Sequence, residues 1–204
     1  MITLSPTPLI AILRGVRPDE AEAIAEGIVE AGFGAIEVPL NSPDPLASVE
    51  AIAKRWGDRV LVGVGTVLSP DEVDPAERVG AKLIVAPNVD GAVIVRARNL
   101  RLAALPGVAT PTEGYRAILL GASALKLFPA EGMPPEVLKA WRSILPREIQ
   151  LFPVGGITPA RVGPYRKAGA DGFGIGGALY KLGMTAAEVA HAAQGFVEAW
   201  KAAE

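Results

Sequence analysis

The sequence predicts an α/β protein whose short parallel strands and intervening helices close into a (β/α)8 barrel, the TIM barrel. Short apolar runs alternate with longer helical patterns along the chain, and eight such pairs can be counted. The Gly-rich turn of many open, doubly wound sheets is absent after the first run, where Arg14-Gly15-Val16 stands. We therefore favour a barrel over an open sheet. The 204 residues predict a single domain, residues 1–204, with one sizeable core.

The strands are predicted from short apolar runs that end at turn residues. Runs that are apolar on both faces are typical of parallel strands covered by helices. The eight predicted strands are residues 8–13, 35–40, 60–64, 83–86, 102–105, the run around Lys126, 149–154 and 172–175.

The helices between these strands carry recognisable start and stop signals. Pro18 is followed by two acidic residues, which are favourable in a first turn, and Gly32 is a typical helix stop. Ser69, with Glu72 three residues later, matches a capping box. The predicted helices run from 18 to a stop at 32, 45–56, from 69 onward, 91–98, 112–119, 135–144, 159–168 and 185–201.

The composition excludes several classes of function. A net charge of −2 and a pI near 5.6 leave no basic surface for nucleic-acid phosphates. The absence of cysteine excludes disulfides, thiolate nucleophiles and thiolate metal sites. The only histidine, His191, is expected on a helix surface, so neither a Ser/His triad nor a histidine-rich metal site is indicated. Residues 1–13 contain neither a positive n-region nor a long apolar run, so we expect a cytoplasmic protein without membrane contact.

Lys126 is the most informative residue because it stands where the pattern asks for a buried apolar side chain. Leu125, Leu127 and Phe128 surround it in a short run that ends at Pro129. Burial disfavours the charged ammonium, and a neutral amine in a dry pocket can attack a ketone to form an imine. The alternative is that the lysine stem lies on apolar surface while its charge reaches water.

Polar and backbone-exposing residues recur where the predicted strands end. The active site of a barrel lies at the carboxyl ends of its strands, so these residues should meet at one face. They are Arg14, Glu37, Gly65-Thr66, Pro87-Asn88, Pro106-Gly107, Lys126, Gly155-Gly156 and Gly176-Gly177.

Glu37 lies among apolar neighbours, where a carboxylate has no obvious solvated face. One interpretation is a structural ion pair with Arg14 or Lys126. The other is proton shuttling, because imine formation, dehydration and C–C cleavage each move a proton. Both interpretations can hold together.

The glycine pairs after the last two strands predict an anion site. In barrels these loops, together with a short extra helix, commonly bind phosphate through backbone N–H groups. Gly155-Gly156 and Gly176-Gly177 are placed accordingly, although glycine also marks ordinary tight turns. Arg14 and Thr66 could hold a substrate carboxylate.

Several motifs in family order resemble the class I aldolases that cleave 2-keto-3-deoxy-6-phospho sugar acids. This family contains the aldolases of 2-dehydro-3-deoxy-6-phosphogluconate (KDPG) and of its galactonate C4 epimer (KDPGal). Together the motifs span nearly the whole chain and are specific, whereas each alone is weak. They are Pro8-Leu9-Ile10-Ala11-Ile12-Leu13-Arg14-Gly15, Ile36-Glu37-Val38-Pro39-Leu40-Asn41-Ser42, Gly65-Thr66-Val67-Leu68, Ala86-Pro87-Asn88, Leu125-Lys126-Leu127-Phe128-Pro129, Val154-Gly155-Gly156 and Gly176-Gly177.

The resemblance implies roles for individual residues. It makes Lys126 the Schiff-base lysine and Glu37 the general acid/base, with no metal and no cofactor. It implies that the substrate, its carboxylate included, is bound by Arg14, Thr66, Pro87, Phe128, Asn41 and Val154, and its phosphate by Gly155, Gly156, Gly176 and Gly177. A homotrimer is also implied. One departure is Gly177, where a serine is common, so a hydroxyl donor to the phosphate is lost.

The identity of two residues bears on the substrate. The gluconate-type enzymes usually carry a threonine at the position of Val154 and an arginine at that of Asn41, so this chain resembles the galactonate type. We expect cleavage of KDPGal to pyruvate and D-glyceraldehyde 3-phosphate. The alternatives are a KDPG or 4-hydroxy-2-oxoglutarate aldolase and, in other classes, a sugar-phosphate isomerase or a non-catalytic phosphate-binding barrel.

Overall fold

A computed structural model describes residues 2–203, and its strands are all parallel. The α/β class is thereby confirmed. The strands are β1 Thr7–Ile12, β2 Phe33–Pro39, β3 Leu61–Gly65, β4 Leu83–Val85, β5 Ala103–Leu105, β6 Gly107–Val108, β7 Leu125–Leu127, β8 Leu151–Pro153 and β9 Phe173–Ile175.

Helices connect the strands, as the periodicity predicts. They are α1 Pro18–Ala31, α2 Pro45–Trp56, α3 Val73–Arg78, α4 Gly91–Asn99, α5 Pro111–Leu120, α6 Pro135–Arg142, α7 Pro159–Ala168 and α8 Ala186–Ala202. Two 3-10 helices, Pro70–Glu72 and Ala130–Gly132, add single turns. His191 is exposed on α8, as expected. Between residues 2 and 203, no helix combines the length and the apolar character needed to cross a bilayer.

The strands form a curled arrangement of two hydrogen-bonded groups. One group has the order β5-β4-β3-β2-β1-β9 and the other has the order β6-β7-β8. The strand predicted at 102–105 continues as β6 beyond Pro106, so the described strands number nine rather than eight. Pro106 has no N–H to give to a neighbouring strand and therefore interrupts the pairing. Its carbonyl accepts from the Lys126 N–H at 3.0 Å, and an isolated bridge joins Val154 to Gly174 beside β9.

Two apolar clusters lie on opposite faces of the strands. The larger one contains the buried side chains of all eight α-helices together with strand residues such as Ile36 and Val38. The smaller one contains no helix residue and includes Ile10, Ala35 and Phe152. Because successive side chains alternate across a strand, Glu37 shares the helix-free face of β2 with Ala35. Lys126 lies on the same face, since its neighbours on β7, Leu125 and Leu127, pack in the larger cluster.

Local signals explain where the helices start and stop. Gly32 has a φ of 105° and caps α1 with its N–H on the carbonyls of Ile28 and Val29. The Ser69 capping box is present, but it opens a 3-10 turn that precedes α3. The backbone N–H groups of Leu68 and Ser69 both donate to the Glu72 carboxylate, at 2.7 and 3.1 Å.

Candidate active site

A cavity of about 650 Å³ lies at the carboxyl ends of the strands. It is lined by ten of the twelve residues that the sequence points to, namely Arg14, Thr66, Pro87, Lys126, Phe128, Val154, Gly155, Gly156, Gly176 and Gly177. Glu37 and Asn41 are not in its wall. Carboxyl ends of neighbouring parallel strands open on one edge, which explains why residues so distant in sequence meet there.

Lys126 is buried, with only 6% of its surface exposed. Its Nζ lies 4.8 Å from the centroid of the Phe128 ring. Burial lowers the pKa of Lys126; the negative charge of Glu37 opposes this shift, and the positive charge of Arg14 adds to it. The neutral amine is therefore more accessible here than on a solvated lysine.

Glu37 is 2% exposed and makes no ion pair with Arg14 or Lys126 within 4 Å, so the ion-pair interpretation is wrong. Its Oε2 has no hydrogen-bond partner among residues 2–203. Burial raises the pKa of Glu37 to about 7, while the charges of Lys126 and Arg14 act to lower it. A carboxyl group with a pKa near neutrality can both accept and return a proton.

Gly65 provides the space that the Glu37 carboxylate occupies. A Cβ atom on Gly65 would stand 1.4 Å from Glu37 Oε2. In the register of β2 and β3, Glu37 lies opposite Gly63 and Pro39 lies opposite Gly65. The Glu37 side chain therefore reaches Gly65 diagonally, two residues further along β3. Gly65, predicted to lie at the end of a strand, therefore determines where the Glu37 carboxylate lies.

Asn41 contacts Arg14 and does not itself line the cavity, so its predicted contact with substrate stays a prediction. Arg14 Nη1 donates to Asn41 Oδ1 at 2.5 Å, and the next residue, Gly15, donates its N–H to Ser42 Oγ at 2.9 Å. Asn41 is exposed and lies outside the wall of the cavity. It orients the guanidinium, because the two contacts join the loops after β1 and β2.

Thr66 lines the cavity in an unusual backbone conformation. Its φ is +57°, a region that a β-branched residue rarely adopts. The Gly65 carbonyl accepts from Leu40 N–H at 2.8 Å, and Val67 N–H donates to the Val85 carbonyl at 3.1 Å. These bonds hold Thr66 in a strained conformation at a place where such strain is commonly found in functional sites.

The loop after β8 turns at Gly155 and Gly156, which have φ values of +104° and +60°. A Cβ on Gly155 would lie 2.3 Å from Glu131 Oε2, so the Glu131 side chain packs directly on this loop. Arg161 Nη1 donates to the Gly156 carbonyl at 2.7 Å. Glycine at both positions is thus required by backbone conformation and by close packing.

The loop after β9 forms one helical turn instead of the short extra helix expected there. The N–H groups of Leu179 and Tyr180 donate to the Gly176 carbonyl at 2.8 and 3.0 Å. Within the described part of the chain, the N–H groups of Gly177 and Ala178 donate to no backbone acceptor. They are free to bind an anion.

Other lining residues were not predicted from the sequence. They are Ile12, Glu131, Ile157, Thr158, Ala178, Tyr180, Lys181 and Leu182. Most follow the last two strands within a few residues, so extending the strand-end rule into these loops would have found them. No group of three or more His, Asp or Glu side chains between residues 2 and 203 is arranged to hold a metal ion.

These features are those of an α/β enzyme with a buried amine in its cavity and a buried carboxyl group whose charge affects the pKa of that amine. The chain belongs to the KDPG and KHG aldolase family, whose model matches residues 2–192. It is 45% identical over 196 residues to the 2-dehydro-3-deoxy-6-phosphogalactonate aldolase of Escherichia coli K12, covering 96% of each chain. It is 31% identical over 168 residues to the 2-dehydro-3-deoxy-phosphogluconate aldolase of Zymomonas mobilis, covering 81% of this chain and 77% of that one. A solved structure described as native KDPGal superposes with a TM-score of 0.97 at 44% identity, covering 100% of this chain and 98% of that one.

Proposed function

We propose that this protein is a class I aldolase that cleaves KDPGal to pyruvate and D-glyceraldehyde 3-phosphate through an imine on Lys126. The observation that carries the proposal is the buried amine of Lys126 in the cavity wall, together with a buried Glu37 carboxyl whose pKa the Lys126 charge lowers. The resemblance noted from the sequence and the relatives found above support the same reaction.

The first half of the reaction is imine formation. The neutral Lys126 amine adds to the C2 ketone, and a proton from Glu37 lets the carbinolamine lose water, which leaves a protonated imine and the Glu37 carboxylate. Burial favours this step, because it lowers the pKa of Lys126 and raises the neutral fraction.

The second half is cleavage of the C3–C4 bond. Its electron pair moves into the imine to give an enamine, while the C4 hydroxyl loses its proton and becomes the aldehyde oxygen. Glu37 accepts this proton through a water, because Glu37 itself does not line the cavity. It then returns the proton to C3 of the enamine, and hydrolysis of the resulting imine releases pyruvate.

The two anionic ends of the substrate have separate binding groups. Arg14, oriented by Asn41, and the strained turn at Thr66 bind the carboxylate next to C2. The backbone N–H groups of the glycine loops after β8 and β9 bind the phosphate. Pro87 and Phe128 form apolar wall between these ends.

Val154 favours the galactonate configuration. It is 5% exposed and lines the cavity, but it offers no hydrogen bond to a substrate hydroxyl. The relatives agree with this assignment, since the galactonate enzyme of E. coli is more similar to this chain than the gluconate enzyme of Z. mobilis.

A cleavage assay on the two C4-epimeric acids tests the proposal. Pyruvate release from KDPGal is expected with a higher kcat/KM than from KDPG, together with measurable cleavage of both. Strict selectivity for KDPG contradicts the substrate assignment and leaves the aldolase chemistry standing. Failure to cleave either acid, with intact binding of phosphorylated sugars, identifies an isomerase-type or non-catalytic barrel.

We further propose that residues 1–204 form one domain with a closed (β/α)8 barrel, in which β5 and β6 are one interrupted strand. Support comes from the Lys126 N–H bond to Pro106 on one side and the Val154–Gly174 bridge on the other.

We also propose a cytoplasmic homotrimer. Tyr115 and Leu119 on α5 support self-association, since Leu119 is 84% exposed. Sedimentation equilibrium tests the trimer, and a monomeric mass contradicts it.

A further inference from the structure

The proposed mechanism gives a role to only some of the charged side chains in the cavity wall. Three cationic side chains line the cavity, Arg14, Lys126 and Lys181, against one acidic side chain, Glu131. Arg14 and Lys126 have roles at the keto-acid end of the substrate. Lys181 has none, although it lies on the same side of the cavity as Gly176 and Gly177, in the loop after β9.

The fold holds the backbone of Lys181 at the rim. The preceding residue, Tyr180, is 3% exposed and donates its hydroxyl proton to Glu20 Oε1 at 3.2 Å, which ties the loop to the first turn of α1. On the other side, the Lys181 N–H points to Met184 Sδ at 3.2 Å. These contacts hold the main chain of a lysine that lines the same cavity as Gly176 and Gly177.

Lys181 also lacks a competing partner in the described part of the chain. No Asp or Glu oxygen of residues 2–203 lies within 4 Å of its Nζ. By contrast Arg17, an exposed cation near the start of α1, is paired with Asp19 and Glu20. An exposed lysine with no acidic partner keeps its charge available to a ligand.

We propose that Lys181 binds the substrate phosphate and determines the preference of this enzyme for phosphorylated substrates. This inference rests on the proposed function. The glycine loops offer backbone N–H groups only, and Gly177 has no hydroxyl to add. A phosphate ester carries a charge of about −1.5 to −2 at neutral pH, which neutral donors alone balance poorly. Lys181 supplies the cation, in the way a lysine commonly serves phosphate sites as a point charge.

Lys181→Met tests the proposal, because methionine keeps an unbranched stem and removes the charge. We expect kcat/KM for KDPGal to fall about tenfold, mainly through KM, since losing one charge-assisted hydrogen bond has about this effect. The aldol addition of pyruvate to unphosphorylated D-glyceraldehyde should change much less than the addition to D-glyceraldehyde 3-phosphate. Lys181→Arg should retain most of the phosphorylated activity.

Lys139→Met is the matched control, because Lys139 is an exposed lysine on α6 that lines no part of the cavity. It makes the same change in net charge and should leave both activities unaltered. Equal losses on the phosphorylated and unphosphorylated aldehydes in Lys181→Met, or no loss on either, would overturn the assignment.

Failure of this inference is distinguishable from failure of the proposed function. The borohydride-trapped pyruvate adduct should form in Lys181→Met as in the unmodified protein, because pyruvate carries no phosphate. If the unmodified protein forms the adduct and cleaves KDPGal while Lys181→Met keeps the phosphate preference, only the role of Lys181 is wrong. If the unmodified protein forms no adduct, the aldolase proposal itself is wrong.

Discussion

Burial gives Glu37 and Lys126 complementary acid–base properties. It raises the pKa of the carboxyl to about 7 and lowers the pKa of the amine, so both shift towards their neutral forms. In the proposed mechanism the neutral amine is the nucleophile, and a carboxyl near its pKa both takes and gives protons. The arrangement thus suits a reaction that needs a nucleophile and a reversible proton carrier within one cavity.

Replacing Glu37 with glutamine keeps the side-chain shape and removes the proton acceptor. We expect kcat to fall about a hundredfold to ten-thousandfold, the usual contribution of general acid–base catalysis. Steady-state kinetics with KDPGal measures the loss, and circular dichroism checks folding. A folded Glu37→Gln protein with full turnover contradicts the assigned role.

The raised pKa of Glu37 also predicts how stability depends on pH. Between its ordinary value of 4.5 and about 7, folded Glu37 retains a proton that the unfolded chain has lost. The free energy of unfolding should therefore decrease as pH rises through this window. Lys126 acts oppositely at higher pH, because its folded pKa lies below 10.5 and stability should rise towards that pH.

Urea unfolding from pH 5 to 7.5 measures this dependence. In Glu37→Gln the decrease in stability across the lower window should be smaller than in the unmodified protein. Identical pH profiles for the two proteins would show that Glu37 titrates normally in the folded state.

Val154→Thr tests the epimer preference at a single residue. A threonine hydroxyl can bond the C4 oxygen of one epimer, and a buried hydroxyl left without a partner costs about 1 to 3 kcal/mol. The KDPG to KDPGal ratio of kcat/KM should rise roughly fivefold or more, which is within this range. An unchanged or lower ratio would place the epimer selection elsewhere in the cavity.

At the scale of elements, the β2–β3 pair positions the Glu37 carboxylate. Gly65→Ala places a methyl group 1.4 Å from the present position of Glu37 Oε2, so the carboxylate must move. We expect a loss of turnover of about a hundredfold or more, as for loss of the acid–base group itself. Gly195→Ala on α8 is the matched control, because a Cβ there meets no atom within 4 Å. Equal activities of the two variants would contradict the positioning role of Gly65.

Most elements follow from the sequence because their signals are local. The helices 45–56 and 159–168 are predicted at their observed bounds, and α1 ends where Gly32 can adopt a positive φ. The prediction ended strand five at Pro106, because proline commonly interrupts a strand. In the structure the Pro106 carbonyl still accepts from the Lys126 N–H, and the strand continues as β6.

The site is partly predictable for the same reason. Strand ends share one edge, so Arg14, Thr66 and Lys126 could be placed in one cavity without coordinates. Side-chain directions in loops carry no periodic signal, so the turn of Asn41 towards Arg14 and the approach of Lys181 to the rim became visible only in the structure.

At the scale of the whole molecule, the two faces of the strands have different surroundings, and only one face carries Glu37 and Lys126. Strand residues that face the helices pack in the larger cluster, and the helix-free face holds a second cluster together with Glu37 and Lys126. The groups proposed to bind the two anionic ends of the substrate lie in loops that follow the strands. Under the proposed function, substitutions in these loops can therefore change the substrate without altering the Lys126 amine.

Borohydride reduction in the presence of pyruvate tests the central claim most directly. Reduction fixes the imine, so intact-mass and peptide mass spectrometry should find one pyruvate-derived adduct per chain, located on Lys126. Activity should be lost in parallel, and prior treatment with a strong chelator should not prevent either effect. An adduct on another lysine, or activity that survives full reduction, would contradict the assignment of Lys126 as the imine-forming residue.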